Sequence, residues 1–310
     1  MAQPLASGVV VATVTPFTEG GDVDVEAFKA LVERLEARGV QGLYVVGTVG
    51  ESMYVRIDER IRIFEAALEA RKNLKILASL MAATTLEAVE NARRLREVDV
   101  DAVFVTPPIY YKPSRESLMK HFVSVAEAAD KPLFIYTISS YVGYAVPAEV
   151  VRDLALEHSG VAGIKATEPD LHYLFQIASE VKAERPDFTL LTGYGEYLLD
   201  ALAAGADGAV DGLSNVVPGL TASIYEAWRG GRYEEAVKLH RSLARLSAIF
   251  AKAGSLAKTL KALMKSLGVP MSAKSRIPEP DPDPEAVDKL YKLLCSDYRS
   301  YLVEASGCPA

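Results

Sequence analysis

Lys165 closes the run Gly160-Val-Ala-Gly-Ile-Lys, and Tyr136 sits near the end of Leu133-Phe-Ile-Tyr-Thr. A lysine in apolar company has its charged form disfavoured by desolvation. The neutral amine is the nucleophile that makes an imine with a carbonyl. A phenol beside it can carry protons while that imine forms and a carbon–carbon bond breaks. The plainer reading of Lys165 is a lysine at a strand end that snorkels to water. A second group is Gly47-Thr-Val-Gly-Glu-Ser52. Two glycines three apart allow a tight turn that presents backbone N–H groups, and Thr48 adds a hydroxyl. Such a turn suits a small carboxylate; its alternative is an ordinary turn in which Ser52 caps a helix. Thr106-Pro-Pro-Ile-Tyr-Tyr-Lys-Pro113 is a proline-stiffened loop with two tyrosines, read by itself as a packing or interface loop. Gly193-Tyr-Gly-Glu196 lacks the third glycine of a dinucleotide fingerprint and comes late in the chain, which argues against nucleotide binding. His121, His158, His172 and His240 fall on helix patterns or helix ends and read as structural. The sequence contains no HExxH, P-loop or GxSxG motif.

These residues need elements to position them. Apolar runs at 9–15, 42–47, 74–80, 101–107, 132–137, 161–165, 188–193 and 208–212 are each followed by an amphipathic stretch. The helical patterns cover 25–38, 59–71, 86–98, 116–129, 148–157, 171–184, 196–204 and 220–229. Strict β/α alternation implies parallel strands with right-handed crossovers. Eight units in this length suggest a closed (β/α)8, or TIM, barrel, with an open doubly wound sheet as the alternative, since periodicity does not show closure. In a barrel the C-terminal strand ends carry the chemistry, so Lys165 and Tyr136 are expected side by side at the mouth. Beyond residue 232 the pattern turns to helix upon helix: 234–251, 256–267, a proline-rich acidic connector at 277–286, and a last helix over 286–304. The expected division is a barrel over 1–230 and a helical extension over 231–310.

The 310 residues are 50% hydrophobic with a net charge of −7, enough for one large core. No basic stripe marks a nucleic-acid partner. The longest apolar runs are too short for a bilayer, and no basic segment precedes the first one as in a signal peptide. Cys295 and Cys308 form no CxxC pair or metal pattern and are read as no disulfide framework. The simplest location is the cytoplasm.

In family order, the motifs TPF (15–17), GTVGE (47–51), the tyrosine of FIYT, GIK (163–165) and GADGAV (205–210) together resemble the pyruvate-dependent class I aldolases. That family includes dihydrodipicolinate synthase, N-acetylneuraminate lyase and 2-keto-3-deoxygluconate aldolase. The resemblance runs from about Val10 to the C-terminal helices. It implies that Lys165 forms the Schiff base with pyruvate, that Tyr136 relays protons, and that Thr48 and Tyr110 complete the relay. Tyr110 is expected to reach a neighbouring subunit, which implies a homodimer or a homotetramer of two dimers. The Gly47–Val49 turn is expected to hold the pyruvate carboxylate. No metal and no separate cofactor are implied, because the imine is the electron sink. Two departures bear on substrate. Val49 replaces the second hydroxyl residue of GTTGE. Tyr141 stands where dihydrodipicolinate synthases carry the arginine that binds aspartate semialdehyde, and a site without that arginine holds a substrate carboxylate poorly. The sialic-acid lyase pattern also fits incompletely, with Gly195 and Gly212 in place of an aspartate and a serine. Tyr141, Gly193, Glu196, Asp211 and Ser214 offer hydroxyls, carboxylates and backbone groups to a polyhydroxy aldehyde instead, and Val210, at the end of the GADGAV motif, is counted with the substrate-binding residues. The expectation is an aldolase for a 2-keto-3-deoxy sugar acid. Its rivals are dihydrodipicolinate synthase, an N-acetylneuraminate lyase-like activity, a dehydratase acting through the same imine, and a non-catalytic small-acid binder.

Overall fold

The computed structural model describes residues 3–309. Its strands are β1 (Gly8–Ala12), β2 (Gly42–Val45), β3 (Lys75–Ser79), β4 (Ala102–Val105), β5 (Leu133–Thr137), β6 (Val161–Ala166), β7 (Thr189–Thr192) and β8 (Gly208–Asp211). They pair in chain order and close into a barrel. The open-sheet alternative is thereby set aside. The strands are apolar almost throughout and nearly all of their residues are buried, as parallel strands covered on both faces must be. Closure brings β8 against the start of β1: Gly8 N donates to Asp207 O at 2.8 Å, and a Cβ on Gly208 would collide with the Gly8 backbone.

The intervening helices are α1 (Val25–Glu36), α2 (Ile57–Ala70), α3 (Thr85–Leu95), α4 (Arg115–Ala129), α5 (Ser139–Val142), α6 (Ala148–Glu157), α7 (Leu171–Ile177), α8 (Leu198–Ala203) and α9 (Pro218–Arg229). Several begin at side-chain caps written in the sequence: Asp24 accepts from Ala27 N, Thr84 from Glu87 N, Ser114 from Ser117 N and Asp170 from His172 N. Each cap satisfies an otherwise orphaned N–H and stops the strand-to-helix loop at a defined point. Helices α10 (Tyr233–Phe250), α11 (Leu256–Ser266) and α12 (Pro284–Asp297) follow.

Two compact units emerge. The first runs to Gly8 and resumes over Lys75–Val210. Within it Phe104 of β4 and Phe134 of β5 stack at 4.7 Å, and Lys182 Nζ donates to both carboxylate oxygens of Asp207 at 2.6 and 2.8 Å. The second takes Val9–Leu74 and Asp211 onward. Within it Asn215 ties β1 to the turn after β8. Its Oδ1 accepts from Val14 N at 3.0 Å, and its Nδ2 donates to Ala12 O and Gly212 O, each at 2.7 Å.

The structure corrects three local expectations. Helix α7 ends at Ile177 and widens into a π turn over Ala178–Lys182 instead of running on to 184. The segment after Tyr136, not anticipated as helical, contains α5. Helix α12 stops at Asp297, short of 304, because the chain folds back: Cys295 and Cys308 form a disulfide with Cα atoms 5.5 Å apart. The reading that these cysteines form no disulfide is therefore corrected. A helix carried through both would hold them about 20 Å apart at 1.5 Å per residue. The reversal after α12 that brings them together leaves no periodic signal.

Candidate active site

Tyr136 and Lys165 are paired neighbours in the β5–β6 ladder. Register puts both side chains on the same face of the sheet. Lys165 Nζ lies 4.1 Å from the centroid of the Tyr136 ring. Lys165 is 4% exposed and Tyr136 1%. Rigid strands thus hold amine and phenol together at the C-terminal end of the barrel, where the sequence places them.

The strand ends around this pair are braced. The Thr137 hydroxyl donates to Glu168 Oε1 at 2.5 Å, and Ser139 N donates to the same oxygen at 3.1 Å. The Thr137 hydroxyl also accepts from Val146 N at 3.1 Å, which closes the loop carrying α5 and its exposed Tyr141. The β5–β6 ladder continues one step past β6, with Thr167 N donating to Thr137 O at 3.0 Å. Thr167 therefore shares the face of Lys165, two residues on. It is buried, and its hydroxyl has no hydrogen-bond partner. Gly193 makes room for it, since a Cβ there would overlap that hydroxyl. Sequence reasoning missed Thr167 and Glu168; the only available signal was their closeness to Lys165. Burial first, then the nearby Tyr197, Glu168, Glu196 and Tyr141 groups, push the Tyr194 phenol above its ordinary pKa. Glu196 and Tyr141 thus belong to one polar group after β5 and β7.

The loop after β4 is held from below. His121 Nε2 lies 3.0 Å from Thr106 O and its Nδ1 2.9 Å from the Thr85 hydroxyl. A carbonyl can only accept, so Nε2 carries the proton and Nδ1 accepts from Thr85. Burial lowers the His121 pKa to about 4. Tyr144 donates its hydroxyl to Pro108 O. Beyond this anchor Tyr110 adopts φ 79° and is 89% exposed, so it lies outside the buried layer of Lys165 and Tyr136.

The turn Gly47–Ser52 follows β2. Glu51 N donates to Thr48 O at 3.1 Å and Ser52 N to Gly47 O at 3.0 Å. Gly47 packs against the Tyr44 ring so closely that a Cβ would collide with it. Thr48 and Val49 are half-buried on this turn. At the end of β8, Val210 is buried. Asp211 caps the following turn: Oδ1 accepts from Leu213 N at 3.1 Å, and Oδ2 from Ser214 N at 2.9 Å and the Ser214 hydroxyl at 2.6 Å. Burial raises the Asp211 pKa against the pull of these donors.

The barrel thus holds a buried strand-end amine beside a phenol, an arrangement with which a nucleophile and a proton carrier can be paired. Similarity to known proteins gives the class. The sequence matches the family described as Dihydrodipicolinate synthetase family over residues 5–296. An uncharacterized DapA-like lyase of Pyrococcus abyssi is 34% identical, covering 93% of this chain and 97% of that one. A probable 2-dehydro-3-deoxy-D-pentonate aldolase of Escherichia coli K12 is 29% identical, covering 93% and 96%. A prophage protein of the dihydrodipicolinic acid synthase family from E. coli K12, solved in complex with pyruvate, superposes with a TM-score of 0.88 at 26% identity, covering 93% and 97%. The chain belongs to the dihydrodipicolinate synthetase family, and it is a lyase of the class I aldolase type.

Proposed function

We propose that the protein cleaves or forms a 2-keto-3-deoxy sugar acid, with pyruvate carried as an imine on Lys165. The observation that carries this reading is the buried contact of Lys165 Nζ with the Tyr136 ring at 4.1 Å. In the cleavage direction the Lys165 amine adds to the keto carbon, and water leaves as the iminium forms. Tyr136 gives its proton to that leaving water, and the resulting phenolate takes the proton of the C4 hydroxyl as the C3–C4 bond breaks and its electron pair moves into the iminium to give the enamine. The aldehyde departs, the Tyr136 phenol returns its proton to C3, and water adds to the iminium, giving a proton back to Tyr136, to release pyruvate and the free lysine. The GTVG turn is assigned to the keto-acid carboxylate, while Thr48 and Tyr110 keep the relay roles that the resemblance implies. No metal or separate cofactor enters the scheme.

The sugar-acid reading draws on Tyr141 in place of an arginine and on the unpartnered Thr167 hydroxyl on the face of Lys165. The polar group around Tyr194 and the similarity to a probable pentonate aldolase support the same reading. Dihydrodipicolinate synthase is the second reading, favoured by the family description. Incubation with pyruvate and borohydride, followed by intact mass and peptide mapping, tests the chemistry. The expected product is a reduced adduct on Lys165 that Lys165→Ala lacks; a folded wild type without an adduct sinks the mechanism. Pyruvate release from 2-keto-3-deoxy sugar acids, compared with condensation of pyruvate and aspartate semialdehyde, decides the substrate.

The proposed assembly is a homodimer or a dimer of dimers, with Tyr110 contributed across an interface. Sedimentation of wild type and Tyr110→Ala tests it. Among the described residues no helix is long and apolar enough to cross a membrane. The cytoplasm is the location proposed from the sequence, the Cys295–Cys308 disulfide favours an oxidising compartment instead, and fractionation decides between them.

A further inference from the structure

The turn that follows β2 holds two side-chain-bearing residues in the left-handed region, Val46 at φ 57° and Glu51 at φ 62°. For a β-branched residue this is costly, and such a conformation persists only where the surroundings over-determine it. Gly50 is packed too closely to carry a side chain: a Cβ would sit 2.8 Å from Val46 Cα and 2.9 Å from Thr13 O. The Thr15 hydroxyl holds one side of the turn by donating to Gly50 O at 2.7 Å.

The other side is held from more than two hundred residues away. Lys261 of α11 donates to Glu51 Oε1, and both side chains are fully buried. Glu51 Oε2 accepts from Arg276 N at 2.7 Å and from Ile277 N at 3.3 Å. Lys261 Nζ also donates to Lys274 O at 2.9 Å and lies 4.3 Å from the centroid of the Phe17 ring. The Arg276 guanidinium lies 4.4 Å from the same centroid and grips Glu59 at 2.7 and 2.8 Å. Burial pulls the Lys261 ammonium down to about 8, with Glu51 acting against that shift. Burying an ion pair stabilises a fold no better than an apolar pair of the same shape, so stability alone is a weak reason for this one. What the pair and the two backbone donors do supply is a fixed position for Glu51.

We propose that Glu51, gripped by Lys261 and by the backbone at Arg276, locks the Gly47–Gly50 turn in its keto-acid-binding conformation. The C-terminal segment thereby sets the affinity for pyruvate. This inference rests on the reading that the turn receives the pyruvate carboxylate. Glu51 and Lys261 are positioning residues that act through the turn and do not touch the reacting atoms.

The test uses the full chain and borohydride trapping on Lys165 as a function of pyruvate concentration, which separates half-saturation from the limiting rate. Glu51→Gln is nearly isosteric, yet its amide must face either the Lys261 ammonium or the Arg276 N–H, donor against donor. Glu51→Gln and Lys261→Met should each raise the half-saturating pyruvate concentration about tenfold or more, with the limiting rate within about threefold, since small misplacements of binding groups have large kinetic effects. The double variant should be no weaker than the weaker single one, because both act through one contact. If Lys261→Met does not fold, Glu51→Gln alone carries the test. Folded variants that keep the wild-type half-saturation and lose only thermal stability overturn the proposal, as do effects that simply multiply. A wild type that forms no adduct overturns the Schiff-base reading and this inference with it.

Discussion

Lys165 and Tyr136 are set by strand pairing rather than by loops, which fixes the amine over the phenol without any reorganisation at the moment of reaction. Tyr136→Phe keeps the packing and removes the proton carrier. We expect kcat for aldol cleavage to fall about 10²–10⁴-fold, the usual range for a positioned acid–base group, with Lys165 still trapped by borohydride. The Thr167 hydroxyl, buried and unpartnered on the same face, belongs to substrate recognition in the proposed function. Thr167→Val is nearly isosteric. It should lower kcat/KM for a hydroxylated aldehyde about tenfold, the scale of one hydrogen bond to substrate, and leave pyruvate half-saturation unchanged. An equal loss for all aldehydes would assign Thr167 to packing. Asp211 shows the limit of reading single residues: its carboxylate caps the turn after β8 through Leu213 and Ser214, a task that its position in the sequence does not reveal.

At the level of elements, α4 does more than cover β4. Its His121 supports Thr106 at the strand end and is held neutral by burial, with a folded pKa of about 4. The unfolded chain takes up a proton near pH 6.5 that the native state refuses until about pH 4. Stability from this group is therefore complete above about 6.5 and is lost as pH falls toward 4, by roughly 3 kcal/mol. Urea midpoints of wild type and His121→Gln at pH 7.5 and 4.5 measure it. The variant should lose less stability on acidification, and parallel losses would refute the assignment. Alternating apolar runs and the proline-rich connector were legible in the sequence, whereas the caps at Asp24 and Thr84 are seen only in the structure. Element ends were less legible. Helix α7 yields to a π turn, and α5 forms in a segment whose composition signals no helix.

For the whole molecule, the disulfide between Cys295 and Cys308 closes a short loop after α12. Reduction, or Cys308→Ser, should lower stability by up to about 3 kcal/mol through the entropy of the opened loop, with cleavage activity retained. Unfolding curves with and without reductant check this; unchanged curves would show a tail that contributes nothing. The order of the strand–helix units, the placing of Lys165 and Tyr136 at neighbouring strand ends and the family motifs followed from the sequence by itself. Hydrophobic periodicity and the order of motifs along the chain are written in consecutive residues, which is why they could be read there. Barrel closure, the Cys295–Cys308 bridge, the Lys261–Glu51 grip and the vacant hydroxyl of Thr167 were decided only by the tertiary structure. Each depends on which surfaces meet once the loops have closed. A single chain carries no periodic signal for a contact between residues 51 and 261.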